Sequence, residues 1–158
     1  MREASGSTWS LQIMILFILI FSAFIALVIT YSKAYTVKNR IVTVLEKYEF
    51  INDETINIIN SFLVNRGYRE THHCPTDEES VWYGVPDLNG NEYEKADSTN
   101  NYYYCFSEKK YNDGSKYFDI YVFYRFKLPF LGDIITYDIH GKTKGLLNTG
   151  KKENNIWM

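Results

Sequence analysis

"SLQIMILFILIFSAFIALVITYSKAYTVKNRI", residues 10–41, begins as solid hydrocarbon and turns amphipathic without a break. No charged side chain occurs from Ala4 to Ser32, and between Leu11 and Thr30 stand fourteen Leu, Ile, Phe or Val residues. Twenty helical residues at about 1.5 Å each span about 30 Å, the thickness of a bilayer's hydrocarbon layer. At roughly −0.3 to −0.6 kcal/mol apiece, those fourteen side chains favour insertion by about 6 kcal/mol. Trp9 and Tyr31 bracket the run, at the levels where interfacial rings belong. Residues 9–31 therefore read as a transmembrane helix behind a short tail, 1–8. Beyond Tyr31, Val37, Ile41, Val44 and Tyr48 recur at three- and four-residue steps, and neither Pro nor Gly interrupts Leu11 to Phe50. The pattern predicts one helix of about 40 residues, half in lipid and half out. Its outer half carries an apolar stripe that needs cover, from the chain's own sheet or from another molecule.

A cleaved export signal competes with the anchor, because Ser32-Lys33-Ala34 has the small-x-small pattern of a cleavage site. The apolar run is longer than a signal's core, and only Arg2 supplies the positive amino-terminal region, so the uncut anchor is favoured. Orientation signals disagree. Lys33, Lys38, Arg40 and Lys47 follow the span while Arg2 precedes it, which favours a cytoplasmic carboxyl domain. The only cysteines, Cys74 and Cys105, make a minimal pair for a disulfide, which belongs to an oxidising compartment. The reading adopted is a single-pass protein of the cell membrane with its domain, 32–145, outside and a flexible tail, 146–158.

The chain has 158 residues, so removal of the anchor leaves enough for one modest core. A formal charge of −2 provides no basic surplus for nucleic acid, and no nucleic-acid partner is expected. Aromatic residues make up 17%, with 14 Tyr against 10 Phe, a mix suited to half-buried strands.

Asn52 and Asp53 can cap a second helix, 54–65, which Arg66-Gly67 would end with the glycine in the left-handed region. From Tyr68 the period becomes two. A first strand is expected over 68–73. Strands at 80–85 and 92–94 flank "PDLNG", whose Asn89-Gly90 signals a tight hairpin. A strand over 101–109 carries Cys105, and "NDGS" at 112–115 turns the chain into 116–127. There Phe118, Ile120, Val122, Tyr124 and Phe126 would face one way, Asp119 and Arg125 the other. A turn at Leu128-Pro129 leads to a last strand, 134–142. The expected class is α+β: a long amino-terminal helix, a short helix and an antiparallel sheet.

Site chemistry is sparse. His72, His73 and Cys74 point to alternate faces if extended, and only His140 remains as an outside ligand, so no metal is expected there. Asp87, Asn89 and Asn91 have the oxygen spacing of a calcium loop. Gly90 nevertheless lies at the fourth loop position rather than the sixth, and Ser98 stands where a glutamate closes such loops. They are weak calcium candidates in an acidic, solvated hairpin. No nucleophile elbow, phosphate loop or HExxH occurs, so neither catalysis nor a cofactor is expected.

The uninterrupted apolar-to-amphipathic helix followed by a sheet resembles the type IV pilin-like proteins. "DIYVFYRFKLPFLGDIITYDIHGKTKGL" resembles the closing strands of TadE-like pseudopilins of Gram-positive bacteria, with Tyr117–Lys127 as a strand, Leu128-Pro129 as the turn and Gly141-Lys142-Thr143 as a Gly-x-Thr element. The match is loose over 10–50 and better over 117–145. It implies a minor pilin or pseudopilin of a Tad or type IV pilus-like assembly or secretion machine. Its partners would be the lipid bilayer and other pilin-like subunits, with Val37, Ile41, Val44 and Tyr48 as the assembly face. Such prepilins carry a Gly before the cut and a Glu five residues after it, whereas Gly6 here puts Leu11 at that position. That departure points to a capping or initiating subunit. The alternative is a single-pass tethered module that binds a ligand and forms no filament.

Overall fold

The computed structural model describes residues 2–77, 80–128 and 132–146, with side chains described for 8–77, 80–125 and 136–146. Helix α1 runs unbroken from Arg2 to Tyr48, 47 residues, so the expected amino-terminal tail is continuous with the helix at its backbone. Among the described residues it is the one helix long and apolar enough to cross a membrane, with none of its apolar window buried. Glu49 ends it at φ 61°, in the left-handed position that glycine usually occupies. Helix α2, Asp53–Asn65, starts at Asn52, whose side-chain oxygen accepts from the Thr55 backbone N–H at 2.8 Å. At its other end Gly67 takes φ 65° and Tyr68 N–H bonds back to Leu63 O.

The sheet contains β1 (Tyr83–Gly84), β2 (Glu94–Lys95), β3 (Tyr104–Lys110), β4 (Lys116–Leu128) and β5 (Gly132–Lys142). All pairs are antiparallel, in the order β2-β1-β3-β4-β5. The α+β class read from the chain is thus the observed one. Alternation along β3 and β4 divides the side chains between two faces. Tyr104, Phe106, Phe118, Ile120 and Val122 meet α1 and α2 in the main core. Cys105 and Phe123 turn away and join Cys74, Trp82 and Tyr102 in a second, smaller core on the far face. The segments 72–77, 80–82 and 96–102 cover that face.

Several expected elements differ. Residues 68–73 form no strand; His72 makes one isolated bridge with Tyr102. The Tyr68 hydroxyl explains why, since it donates to Phe123 O at 2.6 Å and accepts from Phe123 N–H at 3.0 Å, fixing the segment through its side chain. Asn89-Gly90 makes no two-residue turn, because pairing stops at Gly84↔Glu94. Val85 and Leu88 are instead drawn into the core, and Asn60 Nδ2 donates to Gly90 O at 2.7 Å. Leu146, expected in the tail, is buried and bridged to Lys116, so the domain reaches at least that residue. Pro129 of the expected turn, the side chain of Phe126 and the tail from 147 lie outside what is described.

Candidate functional site

The outer half of α1 is clamped by the sheet. Val37, Ile41 and Val44 are at most 4% exposed, and Tyr48 is partly buried against the same core. Of the four residues expected as an assembly face, Val37, Ile41 and Val44 therefore form the inner wall of this chain's own core, and Tyr48 packs partly against it. Period alone cannot say which molecule covers a stripe. The Gly-x-Thr element is what brings the last strand onto the helix. A Cβ on Gly141 would lie 2.9 Å from Lys38 Cγ and Cδ, so a larger residue there would force the Lys38 side chain to shift. Thr143 Oγ1 accepts from Phe118 N–H at 2.9 Å, while Thr143 N–H donates to Phe118 O at 3.0 Å. Lys142 Nζ between them lies 3.8 Å from the Tyr117 ring centroid and 4.6 Å from that of Tyr111.

Toward its amino end α1 leaves the sheet gradually. Tyr31 meets Tyr124 edge-on at 6.4 Å, Tyr124 stacks on Tyr137 at 5.4 Å, and Tyr35 stacks on Tyr31 at 6.3 Å. Ala23, Ala26 and Thr30, on one helical face, are half-buried, whereas the apolar side chains around them are exposed. The junction between apolar rod and domain is therefore bridged by a cluster of tyrosine rings from α1, β4 and β5.

Beside this junction a cleft of about 370 Å³ opens between α1, the chain following α2, and β4. Thr30, Ala34 and Val37 line its helical wall, and Tyr68 and Tyr124 contribute ring surface. Lys33, Arg66, Arg69 and Arg125 bring four cations to its rim against one carboxylate, Glu70. Arg125 Nε and Glu70 Oε2 are 3.7 Å apart, and Arg66 lies over the Phe62 ring at 5.4 Å. Burial pushes the Tyr68 hydroxyl above its usual range, so it remains a neutral wall residue. None of these cations stood out in the chain, because residues 33, 66, 69 and 125 converge only through the fold.

On the opposite face, Cys74 and Cys105 form a disulfide with Cα atoms 5.7 Å apart, joining the segment after α2 to β3. Nearby Asp119, 6% exposed, accepts from Lys109 Nζ at 2.9 Å and lies 3.2 Å from His140 Nε2. Its hydrogen bond to Lys109 raises the lysine's pKa. The remaining histidines are apart from this cluster: His72 is edge-on to Phe123, and His73 Nδ1 lies 2.9 Å from Asn100 O. Among the described residues no group of three or more His, Cys, Asp or Glu is placed to hold a metal. Asp87 Oδ1 accepts from Asn89 N–H at 3.0 Å and from Asn89 Nδ2 at 3.1 Å. The two thus satisfy each other across a bend, and Asn91 lines a separate shallow surface with Asp53, Glu92 and Glu94.

No protein-family model matches the chain, and neither the curated proteins nor the solved structures contain a match.

Proposed function

We propose that this protein is a membrane-anchored, pilin-like component of an assembly or secretion machine, a minor pilin or pseudopilin, with its domain outside the cell membrane. The observation that carries the reading is the unbroken junction. A single helix from Arg2 to Tyr48 is both the apolar rod and one wall of the domain's core, and Tyr124 of β4 meets it at Tyr31. A tether needs no such continuity, whereas a subunit that packs through its rod must hold rod and domain in one orientation. The assembly surface then moves from the buried stripe to the exposed rod, where Phe17, Ile20 and Phe24 are each more than half exposed. The disulfide favours the outside placement, since such bonds persist in oxidising compartments.

Two perturbations test the proposal in cells. Single cysteines at Phe17, Ile20 or Phe24 should give intermolecular cross-links, and a Gly-Gly-Ser-Gly insertion after Ser32 should abolish them while the domain stays folded. Absence of cross-linking at all three positions refutes assembly through the rod. The second reading, a tethered module binding a ligand outside the membrane, draws support from the basic cleft. It requires that an unrelated transmembrane segment in place of residues 10–29, which spares the cleft's own lining, leave all activity intact.

A further inference from the structure

We infer that the cleft rimmed by Lys33, Arg66, Arg69 and Arg125 is a binding site for the phosphate headgroup of an anionic phospholipid in the bilayer that α1 crosses. The inference needs α1 to be in a membrane but does not depend on assembly, and three observations support it.

The first is depth. The helical wall of the cleft runs from Thr30 to Val37, about 10 Å of rise beginning where the apolar run ends at Ile29. The polar layer on each side of a bilayer is about 5–7 Å thick, so the cleft opens at the level of headgroup phosphates. The Tyr31, Tyr35, Tyr124 and Tyr137 rings mark the same level, as interfacial tyrosines do.

The second is charge. Four cations and one carboxylate surround a chain whose overall charge is −2, so this excess is local. Glu70 is engaged with Arg125 and Arg66 lies over the Phe62 ring, which leaves Lys33 and Arg69, both exposed, as the cations with most access to a phosphate. Arginine forks and a lysine point charge together suit a phosphodiester's two free oxygens.

The third is the wall itself. Val37, Ala34 and the Tyr68 and Tyr124 rings give the cleft apolar surface alongside its cations. That mixed lining suits the junction of a phosphate with its glycerol backbone. It does not suit a fully hydrated inorganic ion, nor an acidic peptide approaching from water.

The test uses the full chain in nanodiscs of phosphatidylcholine with a minority of phosphatidylglycerol, followed by native mass spectrometry of the lipids retained. The wild type should retain phosphatidylglycerol on the order of tenfold above its bulk share, from roughly fivefold per cation near the surface. K33Q/R69Q should fall to the bulk ratio, and K95Q/K110Q, with the same charge change away from the cleft, should behave as the wild type. Trp82 fluorescence, read with Trp9→Phe and Trp157→Phe in every protein so that it reports the far-face core alone, confirms that each variant is folded. Equal enrichment in all three proteins, or equal loss in both variants, overturns the site. In a second arm, inorganic phosphate is added to the lipid-free chain in neutral detergent. Thermal protection at millimolar phosphate that K33Q/R69Q loses would assign the cleft to a soluble anion and overturn the lipid. No protection, together with lipid enrichment in the first arm, supports it. Wild-type retention at the bulk ratio in every composition overturns it as well, leaving the cations to an acidic protein partner.

Discussion

Removing the Cys74–Cys105 bond should destabilise the domain by about 3–4 kcal/mol. The two cysteines are 31 residues apart, and cross-linking a loop of that length withdraws about 12 cal/mol/K of chain entropy from the unfolded state. The loop it closes includes β1 and β2, which are two residues each and contribute little pairing of their own. Their positions depend on Trp82, Tyr102 and Phe123 packing around the disulfide. For a domain of this size the loss corresponds to a fall in Tm of roughly 10–25 °C. Two arms separate the entropy from the packing. Reduction of the wild type keeps both sulfurs in the far-face core, whereas Cys74→Ala/Cys105→Ala also removes them and should cost somewhat more. Urea unfolding of the full chain in nanodiscs, followed by Trp82 fluorescence, measures both. A loss below about 1 kcal/mol in both arms would mean that the far-face core holds residues 72–102 without the cross-link, and the reasoning fails.

Three other outcomes follow from the packing. Tyr68 and Tyr104 have hydroxyls whose pKa burial raises above the ordinary tyrosine value. Their contribution is complete below about pH 10 and falls as pH rises further, because only the unfolded chain can release those protons. The slope should approach 1.4 kcal/mol per pH unit per tyrosine, and Tyr68→Phe or Tyr104→Phe should flatten it in urea titrations between pH 9 and 11. Gly84→Ala places a methyl group into the ring of Tyr102, which is fully buried, and should cost about 1–3 kcal/mol with a matching fall in the urea midpoint. Ile41→Ala should cost about 2–5 kcal/mol and Phe17→Ala nothing measurable in domain unfolding, since Ile41 is 0% exposed and Phe17 is 61% exposed. Equal effects would return the stripe on α1 to the surface.

Much of this architecture is legible in the chain because it rests on local signals. Asn52, the Arg66-Gly67 ending and the Asp113-Gly114 turn are each read within a few residues, and the structure places Gly114 at φ 85° with Asp113 accepting from Ser115. Alternation in β4 likewise separates Phe118, Ile120 and Val122 from Asp119. Features that depend on long-range partners were not legible. Asn89-Gly90 is a strong turn signal that yields to Val85, Leu88 and the Asn60 amide, thirty residues away from Gly90 in the chain. Tyr68 is a strand-like residue that spends its hydroxyl across β4 instead of joining a ladder. The cleft is the extreme case, since three separated segments deliver its cations and no pair has a recognisable spacing.

The fold also bears on the conflict between charge and cysteine. Lysines and arginines after the span would hold the domain in the cytoplasm if counted as topology signals alone. Here Lys38 sits 4.2 Å over Tyr35, Arg40 lies over Phe62, Lys47 lies over Tyr48, and Lys33 lines the cleft. Each has a structural use, so their presence after the span has a sufficient cause apart from orientation. The cysteines also pack in the far-face core, but in a reducing compartment the domain would forgo about 3–4 kcal/mol of a total that is typically only 5–15. A small domain with two-residue strands on its far face withstands that loss poorly. That loss is the physical ground for the outside placement proposed above. A membrane-impermeant thiol label on intact cells decides it: capture only after reductant places the domain outside, and capture without reductant only after lysis places it inside.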